Sequence, residues 1–141
     1  LLAGQRRLAD AERELHLLLE QLPDSGDAHY SLGLLLAETD RLAEAEEHLA
    51  AASRAFPERA RVIYNHALAL QHLDRRGEAE AELVHAAAVD DRDPAIARAL
   101  AIFYAQEQRF AEALPHAQRW LDLSGDPAAT TLLQQIEHGA R

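Results

Sequence analysis

The chain has 141 residues, a formal net charge of −10, and neither Cys nor Met. That length fits one domain or a short array, and the missing thiols exclude disulfides, thiolate zinc sites, Cys nucleophiles and covalently attached haem. The acidic balance lacks the basic stripe that nucleic acid selects and offers anionic membrane surfaces little attraction.

With 30 Ala and 24 Leu, the chain is rich in good helix formers and poor in β-branched residues, so an all-α fold is predicted. The predicted helices run 8–22, 27–38, 42–55, 60–73, 76–89, 94–107, 110–123 and 127–138. Leu1-Leu2-Ala3 reads as the end of an earlier helix, so further sequence upstream is expected. Helix 8–22 presents Leu15, Leu18, Leu19 and Leu22 with little before it to cover them. Pro23 and Pro57 punctuate turns between helices. Asp93-Pro94 and Asp126-Pro127 read as N-cap plus first-turn Pro pairs. Pro115 falls inside the seventh helix, where a slight bend is expected. No apolar run reaches the roughly 18 residues of a membrane span, and the opening residues show no basic n-region followed by an apolar h-region and cleavage site.

The helices repeat. Arg41-Leu42-Ala43-Glu44-Ala45, Arg75-Arg76-Gly77-Glu78-Ala79 and Arg109-Phe110-Ala111-Glu112-Ala113 recur in one phase, and Arg7-Leu8-Ala9-Asp10-Ala11 extends the series upstream. Leu15, Leu49, Leu83 and Ala117 form a second column, Leu2, Leu36, Leu70 and Tyr104 a third, and Leu18, Ala52, Ala86 and Trp120 a fourth. A helix pair repeating every ~34 residues resembles the tetratricopeptide-repeat family. The window 26–59 carries the family's large and small positions as His29, Leu32, Gly33, Leu36, Ala45, Leu49, Ala52 and Pro57. Windows 60–93 and 94–127 follow, with a partial repeat at 1–25 and a polar capping helix at 128–141 marked by Gln134 and Gln135. The resemblance implies a single domain over 1–141. It would be an α-solenoid of antiparallel helix pairs, a right-handed superhelix with small residues where helices approach closely. The exchange of large and small residues at Ala117 and Trp120 reads as compensation within one packing layer.

The resemblance also implies a concave groove lined by the first helix of each repeat. Residues carried onto that face are Tyr30, Leu34, Arg61, Tyr64, Asn65, Leu68, His72, Arg98 and Ile102. Tyr30, Tyr64 and Arg98 form one row, and Leu34, Leu68 and Ile102 the next. Aromatic and Arg anchors over an apolar floor suit a peptide or one face of a helix. Family members that clamp a C-terminal carboxylate place Lys, Arg and Asn where this chain has Tyr30, Leu34, Asn65, Ala95 and Ala99. Only Asn65 matches, so that specificity is not expected.

No reactive constellation, metal-binding motif or phosphate-binding loop is present. The chain is therefore expected to be non-catalytic, with no cofactor and no metal. His16, His48, His85 and His116 are expected to face solvent, and His66 to be a hydrogen-bonded core residue. Glu78, Glu80 and Glu82 are expected on a solvated surface, and each Arg–acid i,i+3 pair to contribute a few tenths of a kcal/mol. The expected function is a protein-interaction module or assembly scaffold for a protein or peptide partner. The alternative is self-association through the uncapped N-terminal edge. A related alternative is docking as a module of a larger bacterial protein, such as an enzyme or multihaem cytochrome. The all-Arg, Ala-rich composition points to a GC-rich bacterium, with cytoplasm and periplasm both open.

Overall fold

The computed structural model describes residues 2–140, and side chains from residue 3 onward. Among these, the order is α1 (Leu2–Gln21), α2 (Gly26–Glu38), α3 (Leu42–Ala55), α4 (Ala60–His72), α5 (Arg76–Val89), α6 (Pro94–Gln106), α7 (Phe110–Ser124) and α8 (Pro127–Gly139). The chain divides into two compact units, Leu1–Ala79 and Glu80–Arg141, with the boundary inside α5. No helix is long and apolar enough to cross a membrane among the described residues.

The helix ends follow from local chemistry. The Ser25 hydroxyl accepts from the Ala28 amide, and the Asp93 and Asp126 carboxylates accept from Ala95 and Ala128. Each satisfies an amide that the first turn leaves unpaired. Pro94 and Pro127 follow their caps at positions that need no amide donor. Three helices end alike. Asp40, Asp74 and Gln108 have φ of 63°, 58° and 59°. The amides of Arg41, Arg75 and Arg109 then reach back to Leu36, Leu70 and Tyr104 carbonyls at 2.9 Å each. This is the Schellman closure, with a left-handed residue just past the helix.

That device explains one correction. The sequence places Leu1–Ala3 at the end of a preceding helix and starts the next at residue 8. Instead, α1 runs unbroken from Leu2; Leu1 lies outside the described residues. Arg6 occupies the phase of Asp40 but stands inside the continuous helix, so no left-handed residue reverses the chain there. Pro115 lies inside α7, where the sequence places it.

Unit 1 packs α1 on α2, α2 on α3 and α3 on α4. Leu32, Leu36 and Ala45 are fully buried, with Leu15, Leu19 and Leu35 packed around them. Gly33 explains how closely α2 and α3 approach: a Cβ there would sit 2.7 Å from Leu49 Cγ. In unit 2, α6 packs on α7 and α7 on α8. Trp120 is buried with Ala97 and Ala129, so the bulk of one indole is accommodated by two alanines.

Candidate functional site

In unit 1, α2 and α4 bring five of the candidate residues together. Leu34, Asn65, Leu68 and His72 line a cleft of ≈ 180 Å³, together with Leu42 and Leu49. Helical spacing is the cause: Asn65, Leu68 and His72 are three and four residues apart and share one stripe of α4. Leu34 is 39% exposed although apolar, and Leu68 is half-buried. At the cleft's edge the Asn65 amide donates to the Tyr30 hydroxyl at 2.7 Å. That bond holds the Tyr30 ring in place from the neighbouring helix. Arg61 lies over the Tyr64 ring at 5.2 Å, a cation–π contact on the same helix as the cleft.

Unit 2 places the remaining two candidates. Arg98 and Ile102 line a separate cleft of ≈ 320 Å³ with Trp120, Leu132, Thr131 and Gln135. The Arg98 guanidinium stands 5.8 Å from the Trp120 ring. Both clefts thus offer an aliphatic surface with polar side chains, and an aromatic ring stands at or beside each. Among the described residues, no group of three or more His, Asp or Glu side chains is posed around a metal position.

The ionic arrangement departs from the sequence reading. Arg41, Arg75 and Arg109 each pair with the i+3 acid, but each also reaches back 29 residues to a Glu on an earlier helix. Arg41 Nη1 lies 2.7 Å from Glu12, Arg75 Nη1 3.2 Å from Glu46, and Arg109 Nη1 2.8 Å from Glu80. The signal was present as a column of Glu12, Glu46 and Glu80. Glu80 is therefore no solvated surface acid: it also accepts from the Tyr104 hydroxyl at 3.0 Å. Arg109 and that hydroxyl hold the Glu80 carboxyl below its ordinary range. Burial and the same carboxylate push Tyr104 up to about 12. Glu46 also meets the His66 imidazole at 2.9 Å, which gives the core histidine its expected partner. Leu114 stands where the next Glu of the column would fall, and the ladder ends there.

Two histidines expected in solvent are half-buried. His116 stacks on Tyr104 with ring centroids 5.7 Å apart, and burial, with Arg119 nearby, lowers its pKa. His48 lies against His29 and His16, and burial lowers its pKa as well. Both sit on second helices at the column facing the preceding helix, where neighbouring rings cover them. His16 and His85 are exposed.

No family model matches the chain, and no curated protein does. Solved structures do. A crystal structure of MamA superposes with a TM-score of 0.89 over 98% of this chain and 81% of that one, at 16% identity. YrrB, a TPR protein with an unusual peptide-binding site, superposes with a TM-score of 0.84 over 96% of this chain and 70% of that one, at 20% identity. A further MamA structure gives 0.74 at 27% identity, over 81% of this chain and 62% of that one. The fold is therefore that of a tetratricopeptide-repeat array, an all-α solenoid of antiparallel helix pairs.

Proposed function

We propose that the chain is a non-catalytic protein-interaction module that holds a peptide, or one face of a helix, against α2 and α4. The observation that carries this is the unit 1 cleft. It is an aliphatic floor of Leu34 and Leu68, left partly open to water, beside a Tyr30 ring fixed by Asn65. An exposed apolar floor with an ordered aromatic rim gains by being covered, and the fixed ring loses little side-chain freedom on binding. Arg61, Tyr64 and His72 supply polar contacts beside it. In unit 2, Arg98 and Ile102 form a second contact patch of the same character. YrrB's peptide-binding site supports a peptide as the class of partner.

Selection of displayed peptides against the full chain tests this reading. Selected peptides should bind Tyr30→Ala and Leu68→Ala variants at least about tenfold more weakly, as expected for truncated anchor residues. Circular dichroism should show both variants folded. Affinities unchanged in both variants would sink the groove assignment.

A second reading has its own observation. Leu17 and Leu18 on α1, and Leu22 just after it, are 53%, 38% and 56% exposed. Such a cluster favours contact with another copy or with another part of a larger protein. Light scattering separates the two readings, because a monomer that binds peptide excludes the self-association version.

A further inference from the structure

Three imidazoles from three helices of unit 1 stand in a row: His16 on α1, His48 on α3 and His29 on α2. The Nδ1 atoms of His29 and His48 face each other at 3.0 Å. Their rings are stacked with centroids 5.2 Å apart, and the His16 ring meets His48 edge-on at 6.2 Å. We propose that this row is an acid-sensitive latch: it is closed at neutral pH, and protonation of His29 and His48 below about pH 6 opens it, so that α1 separates from α2 and α3.

The placement of hydrogens determines how the latch works. His29 Nε2 lies 2.8 Å from the Pro23 carbonyl oxygen. A carbonyl only accepts, so Nε2 carries the proton of the neutral ring and Nδ1 its lone pair. His48 Nδ1 therefore donates to His29 Nδ1. The bond tolerates one added proton, on His48 Nε2. It does not tolerate a second, because a charged His29 carries a hydrogen on Nδ1 as well. Two N–H groups would then point at each other across 3.0 Å. Burial opposes even the first proton: it lowers the His48 pKa, and the His29 and His16 rings add to that.

His29 joins three elements. Its Nε2–H donates to Pro23, just after α1, and its Nδ1 accepts from α3. The α1 helix itself rests on Leu32 and Leu36 through Leu15 and Leu19, while Leu17 and Leu18 are open to water, so its hold is partial. Charges around the row act in both directions. Glu44 and Glu47 of α3 favour a charged His48, but Arg41 at the start of α3 engages Glu44 and Glu12 in ion pairs. Asp24 and Arg54 line the cleft beside His29 with opposite charges. His16 Nε2 lies 3.4 Å from Glu12 on its own helix. That pair persists whether or not α1 is docked, so His16 adds charge to the row without being the group that opens it. Once α1 separates, His29 and His48 stand in water and titrate near the ordinary value of about 6.5. The latch's contribution is therefore complete above about pH 6.5 and is lost as the pH falls. For each histidine that docking holds neutral, opening is favoured about tenfold more at about pH 5.5 than at about pH 7.5.

Amide hydrogen exchange of the full chain, corrected for the intrinsic rate at each pH, tests this. Between about pH 7.5 and about pH 5.5 the α1 amides from Ala11 to Gln21 should lose protection about tenfold or more. With His29→Gln and His48→Gln together, neither side chain can charge, and that loss should shrink to about threefold or less. His116→Phe should leave it as in the parent. Each comparison is a ratio within one protein, so a variant that is looser at both pH values still answers. Imidazole nitrogen chemical shifts give a second readout: near neutral pH the His29 proton should sit on Nε2 and the His48 proton on Nδ1. Protection of α1 that does not fall on acidification overturns the proposal. So does a fall that is equal in the parent and the double variant, a fall that vanishes in His116→Phe, or the opposite tautomer at His29.

Discussion

Single atoms decide the approach of α2 and α3. A Cβ on Gly33 meets Leu49 Cγ at 2.7 Å, and Leu49 is 1% exposed, so the leucine has no room to yield. Overpacking of this kind costs about 2 kcal/mol, against a gain of about 1 kcal/mol from replacing a helical glycine. Gly33→Ala should therefore lower stability by about 1 kcal/mol, read as a lower denaturant midpoint with unchanged slope. Gly77, by contrast, has nothing within 4 Å of its added Cβ. Gly77→Ala should raise the midpoint.

His116 sets a pH dependence at the same scale. Its Nδ1 is buried without a hydrogen-bond partner, and burial, followed by Arg119, depresses its pKa. The unfolded chain takes up the proton first, at its ordinary value near 6.5. The contribution to stability is thus complete above about pH 6.5 and is lost as pH falls toward the folded value. In His116→Phe, which keeps a ring against Tyr104, the thermal midpoint should fall less between about pH 7.5 and pH 5.5 than in the parent. Equal falls would show that His116 is not among the titrating groups. Composition gave no hint of this burial, because a His in a second helix reads as polar until the ring it stacks on is known.

At the scale of helices, much was legible because the repeat forces it. The columns of small and large residues placed seven of the eight helices to within one or two residues at each end. The first helix was mis-started for a reason that is also local. Its neighbours are interrupted by Asp40, Asp74 and Gln108 in the left-handed conformation, a polar column that hydrophobic patterning does not detect. The Glu12, Glu46 and Glu80 column escaped similarly. A 34-residue recurrence of acids looks like surface until each is seen to receive an Arg from 29 residues downstream. The rungs are unequal, because Glu46 is 9% exposed and serves both His66 and Arg75. Glu46→Ala should cost about 1–3 kcal/mol through the His66 contact alone. Glu12→Ala, whose partners His16 and Arg41 are more open to water, should cost less. Comparing the two urea midpoints checks the order, and equal losses would contradict it.

For the whole molecule, stacked helix pairs make a scaffold in which function rests on surface rows, since each pair buries its core against its neighbours. Of the candidate rows, Leu34, Asn65, Leu68 and His72 came from the resemblance to the repeat family, and helical spacing accounts for Asn65, Leu68 and His72 sharing one stripe of α4. The Asn65–Tyr30 bond was not legible, since it depends on how two helices pack. Nor was the division of the candidates between two units, with Arg98 and Ile102 beside Trp120. The most direct measurement of the central claim is chemical-shift mapping of the isotope-labelled chain with a selected peptide. The account predicts the largest amide and methyl shifts at Leu34, Asn65 and Leu68, with the second helices α3 and α7 nearly unmoved on their exposed faces. Shifts centred on Leu17 and Leu18 of α1 and on Leu22 just after it, with α2 and α4 silent, would contradict it.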